Sequence, residues 1–183
     1  MGQTLLLSEQ DVHDLLSMED VVAAVEKTFQ GMGEGTVVNP SKVNLDLGES
    51  APYPPYNGFM NAMPAYVGFA DVAGLKWAGG NLGERKKRNI PYCSSLIMLV
   101  NPHINNFISV LDGALITNMR TGAQTAVALK YLLNHGSSQR RPIRLGIYGA
   151  GMQGHMQTRA IGTLFHIEEL RIYDVSRPAL ERF

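Results

Sequence analysis

The 183 residues suffice for one domain, or for one domain and part of a second, and 45% hydrophobic with 17% charged residues exclude a disordered chain. Lys+Arg and Asp+Glu both number 16, and no apolar run is long enough to span a bilayer, so we expect no nucleic-acid partner and no membrane partner. The single cysteine, Cys93, excludes an internal disulfide and indicates a cytoplasmic protein.

Residues 1–136 are predicted to form a strand-rich domain with mixed strand directions. Ser8 and Ser17 each precede acidic residues, which predicts two helix starts, and Gly33 or Gly35 ends the second helix. The apolar runs predict, in chain order, strands over 4–7, 42–47, 58–65, 73–78, 92–100 and 106–111 and a long helix over 113–133.

Two polar stretches lie between these strands. The glycine-rich run 79–83 predicts the start of a loop. The basic run 85–88 is typical of a solvated loop, with an anion-binding loop as the second interpretation. Residues 136–141 are the clearest linker, and they separate the first domain from a unit over 141–183.

That second unit carries the most informative motif. An apolar strand enters Gly149-x-Gly151-x-x-Gly154, a helix follows over 155–164, and a second strand ends at Asp174, 20 residues after Gly154. This is the order of a dinucleotide-binding β-α-β unit. A glycine-rich loop with no ligand is the alternative.

Each part of the motif has a physical role. Gly149 permits the tight turn, Gly151 lets a pyrophosphate approach the backbone, and Gly154 lets the helix pack closely on the strand. The helix start supplies N–H donors and a positive dipole end to the phosphates. Asp174 can accept hydrogen bonds from the ribose hydroxyls, which favours NAD and leaves NADP possible.

The fold class follows: an α/β chain in which a mixed-sheet domain precedes the first β-α-β of a Rossmann-type domain. The chain ends nine residues past Asp174, and a doubly wound sheet needs further strands. We therefore expect a truncated Rossmann-type domain, from a fragment of a longer enzyme or from a chain whose partner strands come from elsewhere.

Two cationic side chains in the first domain are candidates for substrate binding. Lys76 lies inside an apolar strand, where it can bind a carboxylate or act as a base, or can lie on the solvent face of an edge strand. Arg120 lies between Thr117 and Thr121 in the long helix and suits bidentate recognition of an anion, or is a surface arginine without a ligand. The five histidines lack metal-ligand spacing, so we expect no metal site.

In chain order, the sequence contains Met63-Pro-Ala-Tyr, Gly74-Leu-Lys76, Leu111-Asp-Gly-x-x-Ile-Thr117-x-x-Arg120-Thr121 and Gly149-Ala-Gly151-Met-Gln153-Gly154. Together these motifs resemble the ornithine cyclodeaminase/mu-crystallin family. The resemblance implies a two-domain NAD(P) fold, a homodimer formed through the first domain, and a small α-amino acid or its imine as substrate. Members include ornithine cyclodeaminase, alanine dehydrogenase, cyclic ketimine reductases and opine-type enzymes.

The resemblance also implies site residues. Lys76 and Arg120 match the pair that holds the substrate carboxylate, and Lys42 falls near a further basic substrate-binding residue. The catalytic aspartate of the cyclodeaminases would lie beyond Phe183, so no catalytic residue is assigned. The matching cofactor-binding positions are Arg120, Thr121, Gly149, Gly151, Met152, Gln153, Gly154, Asp174, Ser176 and Arg177.

The leading hypothesis is an NAD-dependent enzyme of small amino acids. Hydride would pass between the nicotinamide and the substrate α-carbon, either as a cyclodeaminase or as an amino-acid dehydrogenase or ketimine reductase. The alternatives are a non-catalytic crystallin-like binding protein of the same fold and an inert truncated product.

Overall fold

The computed structural model describes residues 3–51, 56–81, 83–137 and 139–183, with only the backbone of Lys86. It divides into two compact units. The first unit contains Met1–Leu15 and Gln30–Leu115, and the second contains Leu16–Phe29 and Ile116–Phe183. The expected mixed α/β architecture is confirmed. The units differ from the sequence domains 1–136 and 141–183, whose boundaries as domains stay a prediction, and Ser138 of the linker lies outside the described residues.

A seven-stranded mixed sheet forms the first unit. The strands Leu5–Leu7 and Asn106–Asp112 pair in parallel at one edge of the sheet. All the other strand pairs are antiparallel. Its spatial order is β1 (Leu5–Leu7), β7 (Asn106–Asp112), β6 (Cys93–Asn101), β5 (Val72–Asn81), β4 (Gly58–Val67) and β2 (Val37–Val38), and β3 (Val43–Leu47) also pairs with β4.

The first two helices begin where the serine caps predict. In chain order the helices are α1 (Glu9–Leu15), α2 (Met18–Glu34), α3 (Glu84–Lys87), α4 (Ala114–Asn134), α5 (Met152–Leu164) and α6 (Arg177–Arg182). Ser8 Oγ accepts the N–H of Asp11 at 3.2 Å, and Ser17 Oγ accepts the N–H of Asp20 at 3.1 Å. Gly35, at φ 75°, ends α2 in a left-handed conformation that glycine adopts without strain.

Two sequence predictions in the first unit are wrong. Gly79 and Gly80 do not start a loop, because β5 continues to Asn81. Glycine is needed there for close packing: a Cβ on Gly80 would lie 2.7 Å from the Tyr92 ring, and one on Gly79 would collide with Met60. The basic run is not a loop either, since it forms α3, in which Lys87 pairs with Glu84 at 2.9 Å.

The two faces of the seven-stranded sheet differ in character. On one face four large apolar side chains are exposed, between 48% for Trp77 and 78% for Leu6, with Val43 and Leu96 between these values. Val43 and Trp77 both pair with Ala62, and Trp77 also pairs with Leu96. We call this the apolar face. On the opposite face Asn61, Ala78 and Ser95 are direct cross-strand neighbours and all three are buried. We call these three residues the polar rung.

The second unit contains the predicted β-α-β. Strands β8 (Pro142–Tyr148) and β9 (His166–Tyr173) pair in parallel, and α5 connects them. The core of this unit is formed by small and branched side chains of α4 and α5 with the residue that ends α5, namely Ala123, Ala126, Val127, Ala160, Ile161 and Phe165.

Two arginines of the predicted linker bind the ends of helices. Arg140 Nη2 donates to the carbonyl of Gly162 at 2.5 Å and to that of Phe165 at 3.1 Å, at the end of α5. Arg141 Nη1 donates to the carbonyl of Leu133 at 2.9 Å, in the last turn of α4. These bonds satisfy carbonyl groups that a helix end leaves without partners.

Helices α2 and α4 are joined by a buried ion pair. Lys130 Nζ lies 2.7 Å and 2.9 Å from the carboxylate oxygens of Glu26, and the Tyr131 hydroxyl donates to the same carboxylate at 2.8 Å. Both side chains of the ion pair are largely buried, with 11% and 18% exposed. Burial raises the pKa of Glu26, but the bonds from Lys130 and Tyr131 outweigh it, so that the pKa lies below its usual value.

Candidate nucleotide and substrate sites

The glycine loop follows β8 and has the conformation that its sequence predicts. Gly149 has φ 105°, a left-handed value, and its N–H donates to the carbonyl of Tyr173 at 2.7 Å. A Cβ on Gly154 would collide with the carbonyl oxygen of Gly149, so α5 packs against the turn as closely as a helix can. The left-handed turn therefore explains why residue 149 is glycine, and the close approach of the helix explains why residue 154 is glycine.

Gly151 differs from these two glycines because nothing lies within 4 Å of the position of its Cβ. It is also the N-cap of α5, and no side chain there accepts a helix N–H. The first N–H groups of a helix have no partner within it and carry the positive end of the dipole. An uncapped helix start beside open space provides the N–H donors and the room that a pyrophosphate requires.

Asp174 lies directly after β9 and binds the glycine loop itself. Its Oδ2 accepts the N–H of Ala150 at 2.7 Å and its Oδ1 accepts the N–H of Ser176 at 2.7 Å. These two backbone bonds hold the pKa of Asp174 below its usual value, with Ser176 the larger cause. A carboxylate has about four acceptor sites, so capacity for ribose hydroxyls remains. The sequence motif predicted only the ribose role.

The other cofactor candidates lie around this loop. Met152 is the first residue of α5 and is 56% exposed. Gln153 Nε2 donates to Asn118 Oδ1 at 3.1 Å, which links α5 to α4 and was not predicted. Ser176 is the N-cap residue of α6, and Arg177 Nε bonds Glu181 Oε1 at 3.1 Å.

Arg120 and Thr121 lie on the part of α4 that packs against α5. The carbonyl carbon of Met156 would lie only 2.7 Å from a Cβ on Gly122, so the two helices meet at backbone distance. Thr121 Oγ1 donates to the carbonyl of Thr117 at 2.8 Å. The Nε of Arg120 is buried and has no hydrogen-bond partner among the described residues, and burial lowers the pKa of the guanidinium. A buried donor without a partner is costly, so an anion accepting from it would offset that cost.

Lys76 lies on β5, between β4 and β6, so the interpretation of an edge strand is wrong. Its cross-strand neighbours are Met63 and Ile97, and it is half-buried beside an apolar groove of about 180 Å³ that also reaches Gly74 and Leu99. A lysine in an interior strand with apolar surroundings is rare unless its charge is paired or binds a ligand.

Lys42 is exposed and directly precedes β3. Val43, the first residue of β3, pairs with Ala62, which is next to Met63, the cross-strand neighbour of Lys76. Both lysines belong to the first unit, while Arg120, Thr121 and the glycine loop belong to the second unit.

Asn61 is the residue that the sequence analysis missed. It is 9% exposed, and its Oδ1 has no hydrogen-bond partner among the described residues. It lies on β4 on the same face as Lys76. An asparagine in the otherwise apolar run Phe59-Met-Asn-Ala-Met was the available signal, but only the strand register shows which face it occupies.

Neither a metal centre nor a membrane helix is found in the described ranges. No three or more His, Cys, Asp or Glu side chains gather there as ion ligands. None of the helices in those ranges combines the length and apolarity needed to cross a bilayer.

Comparison with known proteins identifies relatives that bind NAD. The chain is 33% identical to an alanine dehydrogenase of Archaeoglobus fulgidus over 181 residues, which is 99% of this chain and 51% of the relative. An archaeal alanine dehydrogenase dimer with bound NAD has TM-score 0.83 at 31% identity, over 98% of this chain and 51% of that one.

A second solved structure is equally similar in fold. Thermococcus litoralis Δ1-pyrroline-2-carboxylate reductase, in complex with NADH and L-proline, has TM-score 0.83 at 29% identity, over 98% of this chain and 52% of that one. The chain thus spans about half the length of these relatives. The model of the ornithine cyclodeaminase/mu-crystallin family matches residues 2–183, so the chain belongs to that family.

Proposed function

We propose that the protein carrying this chain is an NAD-dependent oxidoreductase of a small α-amino acid or its imine. The observation that carries the proposal is the open, uncapped helix start at Gly151, with Asp174 fixed beside it. The relatives named above include alanine dehydrogenase and an imine reductase, which supports the substrate class. Which amino acid is used, and whether the reaction is a dehydrogenation, an imine reduction or a cyclodeamination, are the finer parts of this proposal.

The residues present fit NAD. The N–H groups of Met152, Gln153 and Gly154 would hold the pyrophosphate, and the Asp174 carboxylate would hold the ribose hydroxyls. Ser176 and Arg177 follow at the same edge, and Arg177 is the group that could accept a 2′-phosphate and make NADP possible. Bound NAD supplies the acceptor or donor of a hydride.

The substrate carboxylate would be held by cationic side chains of this chain. Arg120 has a buried Nε that no described residue bonds, and its planar guanidinium suits a carboxylate. The family resemblance assigns Lys76 to the same carboxylate, with Lys42 as a further basic contact. Fixing the carboxylate in this way orients the α-carbon, and orientation is a large part of such catalysis.

The cofactor proposal is tested on the chain itself with Gly151→Ala. The added Cβ meets no atom within 4 Å, and φ −86° is allowed for alanine, so the melting temperature should stay unchanged. The methyl group would occupy the space that the pyrophosphate needs, so affinity for NAD measured by calorimetry should fall about tenfold or more.

Gly146→Ala is the matched control, because its Cβ also meets nothing within 4 Å but lies in β8, outside the loop. Its NAD affinity should equal that of the unsubstituted chain. Equal NAD affinity in Gly151→Ala and Gly146→Ala would refute this cofactor site.

The reaction type is tested by absorbance of the reduced nicotinamide during turnover, in a protein that contains residues 1–183. Cyclodeamination returns the hydride and shows no net change, while a dehydrogenase or imine reductase shows a steady one. Binding of NAD without turnover of any amino acid or imine would favour the crystallin-like alternative.

We further propose that the chain forms a homodimer through the apolar face of the first unit. An exposed group of large apolar side chains is unfavourable in water, and a second copy would cover it. The related archaeal structure is described as a dimer. Sedimentation should give a dimer at micromolar concentration, and Leu96→Asp should convert it to monomer; a monomer without any substitution would contradict the proposal. A cytoplasmic setting stays a prediction from the single cysteine.

A further inference from the structure

The buried amide of Asn61 is the least explained polar group of the first unit. The residue is only 9% exposed, yet its Oδ1 receives no hydrogen bond from any described residue. A buried acceptor without a donor destabilises the folded protein. Such a group persists where a ligand supplies the missing donor.

Small side chains flank Asn61 on its own face of the sheet. Ala78 and Ser95, the other members of the polar rung, are both small. Lys76 is one rung further along the same face, because it pairs with Met63, two residues after Asn61. Diagonal neighbours of this kind are within reach of a long side chain or of one small ligand.

The chemistry of the two groups is complementary to an amino acid. Lys76 carries only donors and a positive charge, so it takes a carboxylate. Asn61 Oδ1 is an acceptor, so it takes an N–H and repels a carboxylate oxygen. An α-amino acid, or its protonated imine, presents both groups next to each other.

We propose that Asn61 is a further substrate-binding residue, whose Oδ1 accepts a hydrogen bond from the substrate nitrogen when the carboxylate lies at Lys76. The inference rests on the proposed function, since it assigns the nitrogen end of the same substrate. It makes Asn61 a specificity residue: it selects acids that carry a nitrogen over acids of the same shape without one.

The test uses two pairs of ligands with matched shapes, in the presence of saturating NAD. The pairs are L-alanine with propionate, and L-proline with cyclopentanecarboxylate. Binding of each is measured by ligand-induced change in melting temperature, which requires no turnover. The quantity compared is the ratio of the two affinities within a pair, so that a general loss of binding cancels.

Asn61→Ala and Asn61→Leu are the test variants, and Asn44→Ala is the matched control. Asn44 lies directly opposite Asn61 on β3 and is exposed, so it has the same side chain at the same rung without the burial. The preference for the nitrogen-bearing ligand should fall about tenfold or more in both Asn61 variants and stay unchanged in Asn44→Ala. Removal of an unpaired acceptor should also leave the melting temperature of the ligand-free Asn61→Leu equal or higher.

The outcomes separate this inference from the proposed function. If the unsubstituted protein prefers the nitrogen-bearing ligands and Asn61→Ala keeps that preference, the role of Asn61 is refuted and the proposed function stands. If both Asn61 variants melt far below Asn44→Ala, Asn61 holds the fold and the inference is again refuted. If none of the four ligands binds, the amino-acid substrate class fails, and the role of Asn61 fails with it.

Discussion

The glycine loop of the second unit and the polar rung of the first differ in how their residues come together. In the loop, Gly149, Gly151 and Gly154 lie within six consecutive positions, and Asp174 follows at the end of the next strand. In the polar rung, Asn61, Ala78 and Ser95 come from three strands and meet only through their pairing. The first arrangement follows from a local sequence pattern. The second depends on the register of the strands, because a slip of one residue would move each side chain of a strand to the other face of the sheet.

The two regions also offer a ligand different kinds of interaction. The loop offers backbone N–H groups, which any sequence with the right glycines supplies. The rung and its neighbour Lys76 offer side chains, which can be exchanged one at a time without loss of the strand. We therefore expect the glycine loop to determine which cofactor binds. We expect the side chains of the sheet face, together with Arg120, to determine which substrate binds.

The largest effect is expected from the buried ion pair that supports the second unit. Glu26→Gln should lower the free energy of unfolding by about 3–5 kcal/mol, because the charge of Lys130 stays buried without its partner. The double variant Glu26→Leu with Lys130→Met should be nearly neutral, because both charges are removed together. Chemical denaturation of the three proteins measures this, and an equal loss in the single and double variants would contradict it.

The same pair predicts a dependence of stability on pH. The pKa of Glu26 is lowered in the folded state, so the carboxylate stabilises the fold above its unfolded pKa, near 4.5. That contribution is lost as pH falls through the lower pKa of the folded state. Denaturation between neutral pH and about pH 3 should show this loss, and Glu26→Gln should show less of it.

The next effect concerns the two cations that we assign to the substrate carboxylate. Alanine at Lys76 or Arg120 should cost about 2–5 kcal/mol in transition-state binding, since a partly buried charge loses its partner. Arg120→Lys should not restore activity, because the planar fork is lost. The two losses should not add, since both residues hold one group. Values of kcat/KM for both single variants and the double variant decide this, and near-normal kcat/KM in Lys76→Ala would make Lys76 a structural residue.

A smaller effect is expected within α5, where two glycines provide a matched comparison. Gly154→Ala should destabilise the fold by about 1–3 kcal/mol and weaken NAD binding, because its Cβ collides with the Gly149 carbonyl. Gly162→Ala should stabilise it by about 0.5–1 kcal/mol, because its Cβ meets only Ile167, at 3.8 Å. Thermal denaturation and NAD calorimetry of both variants test the pair, and equal melting temperatures would contradict the close approach.

The smallest effect concerns the choice between NAD and NADP. A carboxylate at residue 174 repels a 2′-phosphate, so we expect NAD to be preferred, and Asp174→Asn to reduce that preference severalfold. The pKa of Asp174 is lowered by its backbone bonds, so the preference should be the same at about pH 7.5 and pH 9, where a phosphate monoester is fully ionised. Equal or better affinity for NADP in the unsubstituted chain would refute the prediction.

Much of the fold follows from local sequence signals. Serine caps located the starts of α1 and α2, and alternating apolar runs located the long strands of the sheet. Gly79 and Gly80 were misassigned, because the same glycine that permits a loop also permits the close contacts of Tyr92 and Met60 in a packed strand. In the candidate site, the glycine loop was predictable, whereas the buried amide of Asn61 and the bond from Ala150 to Asp174 depend on tertiary contacts that no local pattern encodes.

The bonds of Arg140 and Arg141 bear on how a protease would meet this chain. The sequence Arg140-Arg141 between α4 and β8 is a cleavage site for trypsin. If this linker were open, trypsin would cut it before the folded parts of the chain. Trypsin must draw the arginine side chain into its own acidic pocket, and in the folded chain both guanidinium groups already bind helix-terminal carbonyls. Trypsin does not cut the bond between Arg141 and Pro142, so the bond after Arg140 is the one at risk. Cleavage there requires the end of α5 to open first, so limited proteolysis at this point reports fraying of that helix.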